Sequence, residues 1–210
     1  MEMVYVVERS VIFPDCFPQG FQPMGPQSGN SAMLQMAMVS SLSEGFFVQR
    51  TVAEKRPDWK QVIPYVIFHQ NGKVWVMNRG ENGGEKRLRN MRYIGVGGHV
   101  NPEDAEGAQS MGFVWEEAAI RELAEEAYVN EANGERHVWS HMDLTLIGFI
   151  NDDHNRVGAV HLGMVYSVKI PDGWAVETED EGRWEDIALV KDSDTGENET
   201  WTKLILEHLQ

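Results

Sequence analysis

The chain has 210 residues, of which 42% are apolar and 24% are charged, a composition typical of a folded globular protein. The net charge of −15 comes from 33 acidic against 18 basic side chains. It argues against a nucleic-acid polymer as the main partner, because phosphate backbones bind basic surfaces. A small phosphorylated ligand stays compatible with it, since a metal ion and one or two arginines are enough to hold such a ligand.

The sequence carries no signal for a membrane or for export. It has no run of about 18 apolar residues, so we expect no membrane-spanning helix. The opening MEMVYVVERS lacks the basic and then apolar regions of a secretion signal. Cys16 is the only cysteine, which excludes an internal disulfide and favours a reducing compartment. We therefore expect a cytoplasmic protein.

Residues 1–45 are interpreted as an N-terminal accessory segment. VYVVE predicts a short strand, and FPDCFPQGFQPMGPQSGNS, with four prolines and three glycines, predicts a loop. SAMLQMAMVSSL predicts a helix, with Asn30 or Ser31 as its N-cap. The main domain is expected to span residues 46–210.

From residue 61 the pattern changes to apolar runs of strand length, which are VIPYVIF, KVWVMNR, YIGVGGHV, LTLIGFI and AVHLGMVYSVKI. Asn71-Gly72 between the first two runs predicts a tight hairpin turn. Helices are expected over about 114–129 and over ETWTKLILEHL near the end of the chain. Strands mixed with a few helices, without regular alternation, indicate an α+β fold.

The helix over 114–129 has two distinct faces. An apolar stripe at helical spacing predicts the face that packs on the core, and it comprises Ile120, Leu123, Ala124 and Ala127. Glu122, Glu125 and Glu126 share a second face with Val129. Clustered carboxylates of this kind suit hard divalent cations such as Mg²⁺ or Mn²⁺. A solvated acidic face is the alternative interpretation of this pattern on its own.

The residues around this helix resemble the Nudix box, whose pattern is Gly, five residues, Glu, seven residues, Arg-Glu-apolar-x-Glu-Glu-x-Gly-apolar. Gly98 matches the first glycine, and RELAEEAYV over 121–129 matches the second half without a gap. The box would thus span residues 97–129. RYIGVGGHVN, INDDHNRVGAVHLGMVYSV and ENETWTKLILEHL are similar to a bacterial and phage subgroup of Nudix phosphoesterases.

The chain departs from this pattern at three places. Twenty-two residues separate Gly98 from Arg121, where the family has thirteen, which indicates an insertion of nine near 101–110. Counted back from Arg121, the first glutamate of the box falls on Phe113, and the late glycine falls on Tyr128. Asn130 is expected to end the helix instead. We hypothesise that the missing acid is replaced by an acid of the insertion, namely Glu103, Asp104 or Glu106.

The resemblance implies an α/β/α sandwich with a mixed sheet and Mg²⁺-dependent hydrolysis of a pyrophosphate bond in a nucleoside diphosphate linked to another group. It implies that Mg²⁺, or Mn²⁺ in its place, is held by the Gly98 carbonyl and by Glu122, Glu125 and Glu126. Arg121 would orient this cluster and, with Glu122 and Glu125, counts among the catalytic residues. The expected ligand is a small phosphorylated nucleotide derivative, and a homodimer is a compatible assembly.

Further site residues are expected outside the box. Asp152 and Asp153 lie between two predicted strands, and Asp153 is taken as the additional catalytic acid. A second set of acids comprises Glu177, Glu179 and Glu181. Arg79 and His161 are expected to bind substrate, whereas an exposed basic loop and a satisfied core histidine are the structural alternatives. Arg87, Arg89 and His99 are weaker candidates of the same kind.

Two other functions are compatible with this fold. A diphosphate isomerase would need a catalytic cysteine, and Cys16 lies in the proline-rich segment without an assignable base. A nucleotide sensor that binds without cleaving would tolerate Phe113 and the insertion. Turnover in the presence of Mg²⁺ distinguishes the hydrolase from the sensor.

Overall fold

The computed structural model of the protein describes residues 2–15, 18–24, 31–80, 91–107, 113–192 and 198–209. Strands and helices are mixed along these ranges, so the prediction of an α+β fold is confirmed. No helix in the described ranges has both the length and the apolar composition needed to cross a membrane.

The described strands are β1 (Met3–Glu8), β2 (Gly20–Pro23), β3 (Phe46–Gln49), β4 (Trp59–Gln70), β5 (Lys73–Asn78), β6 (Arg92–Tyr93), β7 (Gly95–Val96), β8 (Ala127–Asn130), β9 (Thr145–Asn151), β10 (His161–Lys169), β11 (Ala175–Thr178) and β12 (Gly182–Asp186). The helices are α1 (Arg9–Ile12), α2 (Ser31–Leu42), α3 (Arg50–Ala53), α4 (Pro102–Gly107), α5 (Val114–Glu126), α6 (Ile187–Asp192) and α7 (Thr200–Leu206). Short 3-10 turns span His141–Asp143 and Gly158–Val160.

Ten of these strands form one mixed sheet. Its main path runs β12-β5-β4-β10-β9-β2, and only the central pair of that path, β4 and β10, is parallel. Strand β1 pairs with the start of β4 and with β3, while the short β6 and β7 pair with β5 and β4. Strands β8 and β11 form a separate two-stranded sheet.

Strand β4 is buried on both faces, and this explains the layers of the fold. Side chains alternate along a strand, so Val66 and Phe68 enter the core under α5, whereas Tyr65 and Ile67 enter the core under α6 and α7. A near-continuous apolar run is what a two-sided central strand requires. Helices thus cover both faces, as the predicted α/β/α sandwich requires.

Two local predictions for turns and helix ends have different outcomes. Asn71 and Gly72 form the predicted hairpin turn between β4 and β5, with φ of 49° and 75°. Helix α5 ends at Glu126, so its prediction to residue 129 was too long. Ala127 is already extended, and Tyr128 pairs with Glu177 across the β8–β11 ladder. Asn130 lies in that ladder and does not end the helix, because strand pairing takes over directly.

The N-terminal segment contributes to the same sheet. The predicted strand in VYVVE is β1, and β2 extends the far edge by pairing with β9. The predicted helix over SAMLQMAMVSSL is α2. The proposed domain boundary after residue 45 stays a prediction, although both of these strands are hydrogen-bonded to the sheet of the main domain.

Candidate active site

Helix α5 is fixed by one buried face, and its acidic residues face the Gly97-Gly98 pair. Trp115 and Leu123 are buried in the core beneath it. A side chain at position 98 would overlap the Glu122 carboxylate, and one at position 97 would overlap a backbone carbonyl of β4. The glycine pair therefore allows the helix and the strand end to approach closely.

Arg121 joins three parts of the chain at this corner. Its Nε donates to Asp104 Oδ1 at 2.8 Å, and its Nη1 donates to Glu122 Oε1 at 2.8 Å. Its Nη2 donates to the carbonyl of His99 at 2.9 Å. One guanidinium thus ties the insertion and the strand end to the helix, as its rigid, fork-like set of donors allows. The predicted orienting role of Arg121 agrees with these contacts.

Asp104 is the one of the three candidate acids, Glu103, Asp104 and Glu106, that contacts Arg121. It is 5% exposed and lies near the start of α4, where it also accepts from the Asn101 amide at 2.7 Å. It follows Gly98 by six positions, which equals the spacing from the first glycine to the first glutamate of the Nudix box. Glu103 and Glu106 are exposed. Phe113, on which the count back from Arg121 falls, stacks on Trp115 with ring centroids 4.8 Å apart.

The carboxylates of α5 at this corner outnumber the cations beside them. Burial, then the charges of Glu122 and Glu179, raises the pKa of Glu126 to about 7. Burial also raises the pKa of Glu122, although the contact with Arg121 opposes this shift. The Glu125 side chain is 59% exposed and lies 3.6 Å from Arg121. Repulsion of this kind is relieved when a cation binds.

The donors at this corner fit a hard divalent cation in type. They are the carboxylates of Glu122, Glu125 and Glu126 and the backbone of Gly98, all of them oxygen. Among the residues that the structure describes, no three His, Cys, Asp or Glu side chains are grouped closely enough to hold a metal as they stand. A cation held by Glu122, Glu125 and Glu126 together would need these carboxylates to lie closer to one another than they do here.

A cavity of about 380 Å³ opens beside the glycine pair. Its lining includes Gly97 and Gly98 together with side chains from distant parts of the chain, among them Arg50, Arg79, His99, Asp152, His161 and Trp201. Cavities of this size are typical of small-ligand sites. The two residues expected to bind substrate, Arg79 and His161, thus both reach the cavity.

Arg79 connects the cavity with the acidic corner. Its Nε donates to Glu199 at 2.8 Å, and its guanidinium lies 4.4 Å from the centre of the Tyr93 ring. Its positive charge opposes the upward shift in the pKa of Glu126. Arg79 is therefore close enough to Glu126 to neutralise part of its charge. Arg87, Arg89 and Cys16 lie outside the described residues.

His99 and His161 lie side by side in the cavity wall, with ring centroids 5.6 Å apart. Burial lowers the pKa of His161, and burial with the charge of Arg50 lowers the pKa of His99 to about 3. His161 Nδ1 lies 2.6 Å from the carbonyl of Val157. Because that oxygen can only accept, Nδ1 carries the proton and Nε2 is left as an acceptor in the neutral ring.

Asp153 lies in a different environment from the acids of the box. Lys60 donates to its Oδ1 at 2.6 Å, Gln19 donates to its Oδ2 at 2.8 Å, and Arg9 forms an ion pair with it. Burial opposes the shift, but the hydrogen bonds from Lys60 and Gln19 lower the pKa of Asp153. Its neighbour Asp152 lines the cavity, so Asp152 is better placed than Asp153 for a catalytic role.

Asp152 was the alternative that the sequence could not separate from Asp153. It is 3% exposed, and its Oδ1 lies 2.6 Å from His154 Nδ1. Its Oδ2 is buried without a hydrogen-bond partner in the described part of the chain. Alternation within a short loop does not predict which of two adjacent acids faces a cavity.

No family model matches the chain. Protein YmaB of Bacillus subtilis is 31% identical over 214 residues, which cover 100% of this chain and 98% of YmaB. The crystal structure of Tm1382, a candidate Nudix hydrolase, superimposes with a TM-score of 0.69 at 24% identity, over 98% of this chain and 97% of Tm1382. A Nudix hydrolase from Alicyclobacillus acidocaldarius gives a TM-score of 0.54 at 14% identity, over 71% and 90% of the two chains. The chain therefore belongs to the family of YmaB, and its fold is that of the Nudix superfamily.

Proposed function

We propose that the protein hydrolyses a pyrophosphate bond in a nucleoside diphosphate linked to another group, with Mg²⁺ or Mn²⁺ as the cofactor. The junction at Arg121 is the observation that carries this proposal, because it holds Asp104 and Glu122 together against the Gly98 strand end. A divalent ion bound there neutralises charge on phosphate oxygens and lowers the pKa of a bound water. The Nudix fold and the box residues support the same reaction.

The residues of this chain divide the work at the corner. Glu122, Glu125 and Glu126, with the Gly98 carbonyl, would hold the cation. Arg121 keeps the Glu122 carboxylate in one orientation, and Asp104 fixes Arg121 in turn. Such outer contacts set the geometry of metal ligands. Their loss typically lowers metal affinity or activity by about ten- to a hundredfold.

Asp152 is our proposed acid outside the box, in place of Asp153. It lines the cavity next to Gly98 and has a buried oxygen without a hydrogen-bond partner among the described residues. Asp153 already meets the positive charges of Lys60 and Arg9, and a carboxylate with a lowered pKa is a weak base. Asp152 is therefore the side chain to which we assign the contact with an attacking water.

Arg79 is our proposed contact for a phosphate of the substrate. It lies at the cavity, and its charge also reaches Glu126, so it stands between the ligand space and the metal corner. The charge of −15 for the chain favours a small nucleotide derivative over a nucleic-acid polymer. A cytoplasmic location and a homodimer remain predictions.

The decisive experiment is a substrate panel with Mg²⁺ or Mn²⁺ in which the products are identified by mass. The panel contains ADP-ribose, NADH, a nucleotide sugar, a dinucleoside polyphosphate and an oxidised dNTP. Hydrolysis of a P–O–P bond in at least one compound, abolished by EDTA, is the expected result. Tight binding of one compound without turnover would identify a sensor instead.

Melting curves test the metal site without any substrate. A cation that binds only the folded state stabilises it by about 2.7 kcal/mol at a hundredfold excess over its Kd. We expect Mg²⁺ and Mn²⁺ at millimolar concentration to raise the melting temperature and EDTA to reverse the rise. A melting temperature indifferent to both ions would contradict the proposed site.

A further inference from the structure

We propose that the cavity binds the nucleobase of the substrate in a slot between the side chains of His161 and Trp201. This inference rests on the proposed function, because it assigns one end of the nucleotide to the space beside the acidic corner. The slot is defined by those two side chains and by its floor, Ile63 and Gly163.

The two walls of the slot are set by strand geometry. His161 and Gly163 are two positions apart in β10, so they face the same side of the sheet. Trp201 fills the space above Gly163, because a Cβ there would lie 2.9 Å from the indole ring. Two residues of a strand span about 6.6 Å. A planar ring in contact with a wall on each side, at about 3.5 Å per contact, needs about 7 Å.

The floor of the slot is small and apolar. Gly163 pairs with Ile63 in the parallel β4–β10 ladder, and Ile63 lines the cavity. Trp201 is held from behind by Tyr65, with ring centroids 5.5 Å apart at an interplanar angle of 82°. Both Trp201 and His161 are partly exposed. Trp201 is therefore supported by Tyr65, and both side chains of the slot are still accessible to a ligand.

The slot also offers hydrogen bonds that suit a heteroaromatic ring. His161 Nε2 is an acceptor, because Nδ1 donates to the Val157 carbonyl at 2.6 Å. His99 Nε2 is buried and has no hydrogen-bond partner within the described ranges. Unpaired polar atoms in a cavity wall are costly unless a ligand or water satisfies them. A nucleobase supplies both a stacking face and edge donors and acceptors.

A phosphate is a poor occupant for this part of the cavity. Arg50 lines the cavity and is shared by two carboxylates, Glu2 at 3.0 and 3.1 Å and Glu54 at 3.0 Å. Arg79 bonds to one carboxylate within the described ranges, that of Glu199 at 2.8 Å. An apolar floor and an aromatic wall give no compensation for a desolvated anion. The phosphates therefore point towards Arg79 and the metal corner, and the base enters the slot.

The test measures binding alone, by calorimetry in EDTA, so that it is independent of hydrolysis. The probes are AMP, GMP, CMP and UMP, with ribose 5-phosphate as the ligand that lacks a base. We expect at least one mononucleotide to bind about tenfold or more tightly than ribose 5-phosphate. Stacking of a base on a side chain is typically worth about fivefold or more in affinity. We expect His161→Leu and Trp201→Leu each to remove that much of the preference without changing the affinity for ribose 5-phosphate.

His208→Leu is the matched control, because His208 is exposed and contacts Phe21 away from the cavity lining. It should leave all five affinities unchanged. If Trp201→Leu fails to fold, as judged by circular dichroism, His161→Leu carries the test. The proposal is overturned if ribose 5-phosphate binds as tightly as every mononucleotide, if none binds at millimolar concentration, or if a folded variant keeps the full preference. Base-dependent binding without turnover in the substrate panel would overturn the proposed hydrolysis and leave the slot standing.

Discussion

Two charged clusters of this protein use the same residue types in opposite proportions. At the Arg121 corner, one guanidinium meets Asp104 and Glu122, with Glu125 and Glu126 close by. In the Asp153 cluster, one carboxylate meets both Lys60 and Arg9. The first cluster has an excess of negative charge, and the second has an excess of positive charge.

This difference decides what each cluster can bind. A carboxylate between two cations is stabilised in its ionised form and has no need of a further positive charge. Glu126 resists ionisation first because it is buried and then because Glu122 and Glu179 lie near it, and both effects raise its pKa. A divalent cation relieves the repulsion between the carboxylates. The acidic corner is therefore suited to metal chemistry, whereas the Asp153 cluster is suited to holding the loop after β9 in place.

The largest effect is expected when a carboxylate of the acidic corner is neutralised. We expect Glu125→Gln and Glu126→Gln each to lower kcat/KM by about a thousandfold, which corresponds to about 4 kcal/mol of transition-state stabilisation. Without metal, both variants should melt at or above the temperature of the unmodified protein, because repulsion falls. Glu117→Gln on the same helix is the control, since Glu117 bonds to His141 at 2.9 Å away from the corner. Activity within a few-fold of the unmodified protein in both variants would remove the metal assignment.

Neutralising Asp153 should instead lower stability. Lys60 has a fully buried side chain, and its Nζ bonds to Asp153. Removing one partner of a buried pair costs about 3 kcal/mol, so Asp153→Asn should lower the free energy of unfolding in urea by that amount. The kcat of the folded fraction should change less than about threefold.

Asp58→Asn is the matched control for this stability effect, because Asp58 pairs with Arg56 on the surface. Exposed pairs contribute about 0 to 1 kcal/mol, so this variant should unfold at nearly the same urea concentration as the unmodified protein. A large loss of kcat in a stable Asp153→Asn protein would instead restore Asp153 as the catalytic acid.

Asp104→Asn tests whether the insertion supports the acidic corner. Arg121 would keep Glu122 but lose its charged partner on α4, so the orientation of Glu122 becomes less fixed. We expect kcat/KM or Mg²⁺ affinity to fall about ten- to a hundredfold. Glu103→Gln changes an exposed neighbour and should behave like the unmodified protein. Equal kinetics for the two variants would show that Asp104 is dispensable.

The last test of this contrast is a pH dependence of stability. The pKa of Glu126 is about 7 in the folded protein against 4.5 for a free glutamate. Between these values the folded state binds more protons than the unfolded state, so the contribution of this group to stability falls as pH rises. In EDTA, the melting temperature relative to Glu126→Gln should therefore drop between pH 5 and pH 8. A constant difference across this range would contradict the raised pKa.

Much of this fold could be predicted from local sequence patterns. The Asn71-Gly72 turn and the helices α2 and α7 depend on residues close in the chain. The predicted core stripe of α5 was only partly right: Leu123 is buried, but Ala124 is exposed. The face that packs on the core also includes Trp115, Ala118 and Ala119. The end of α5 could not be predicted in this way, because Tyr128 leaves the helix to pair with Glu177, forty-nine positions later. The helical spacing of residues in the sequence continues past Glu126, but the helix itself ends there.

Local sequence spacing could predict which candidate site residues lie near one another on one strand end and one helix. It could not predict contacts with residues far away in the chain. Gly98 and the acids of α5 follow a fixed pattern along one strand end and one helix. The sequence left three candidates for the missing acid, Glu103, Asp104 and Glu106. With an insertion, counting forward from Gly98 and counting back from Arg121 lead to different residues. The environment of Asp153 depends on Lys60, which is 93 positions away, and no local pattern reveals it.

The parallel pairing at the centre of the sheet has a consequence for folding kinetics. Gln61 pairs with His161, which is 100 positions later in the chain. Trp201 of α7 lines the same cavity as His161. Contacts so far apart in sequence form slowly, because loop closure loses entropy before any contact compensates it. During refolding, the helical circular dichroism signal should therefore appear before the protein binds a nucleotide. Nucleotide binding would then measure the completion of the central sheet.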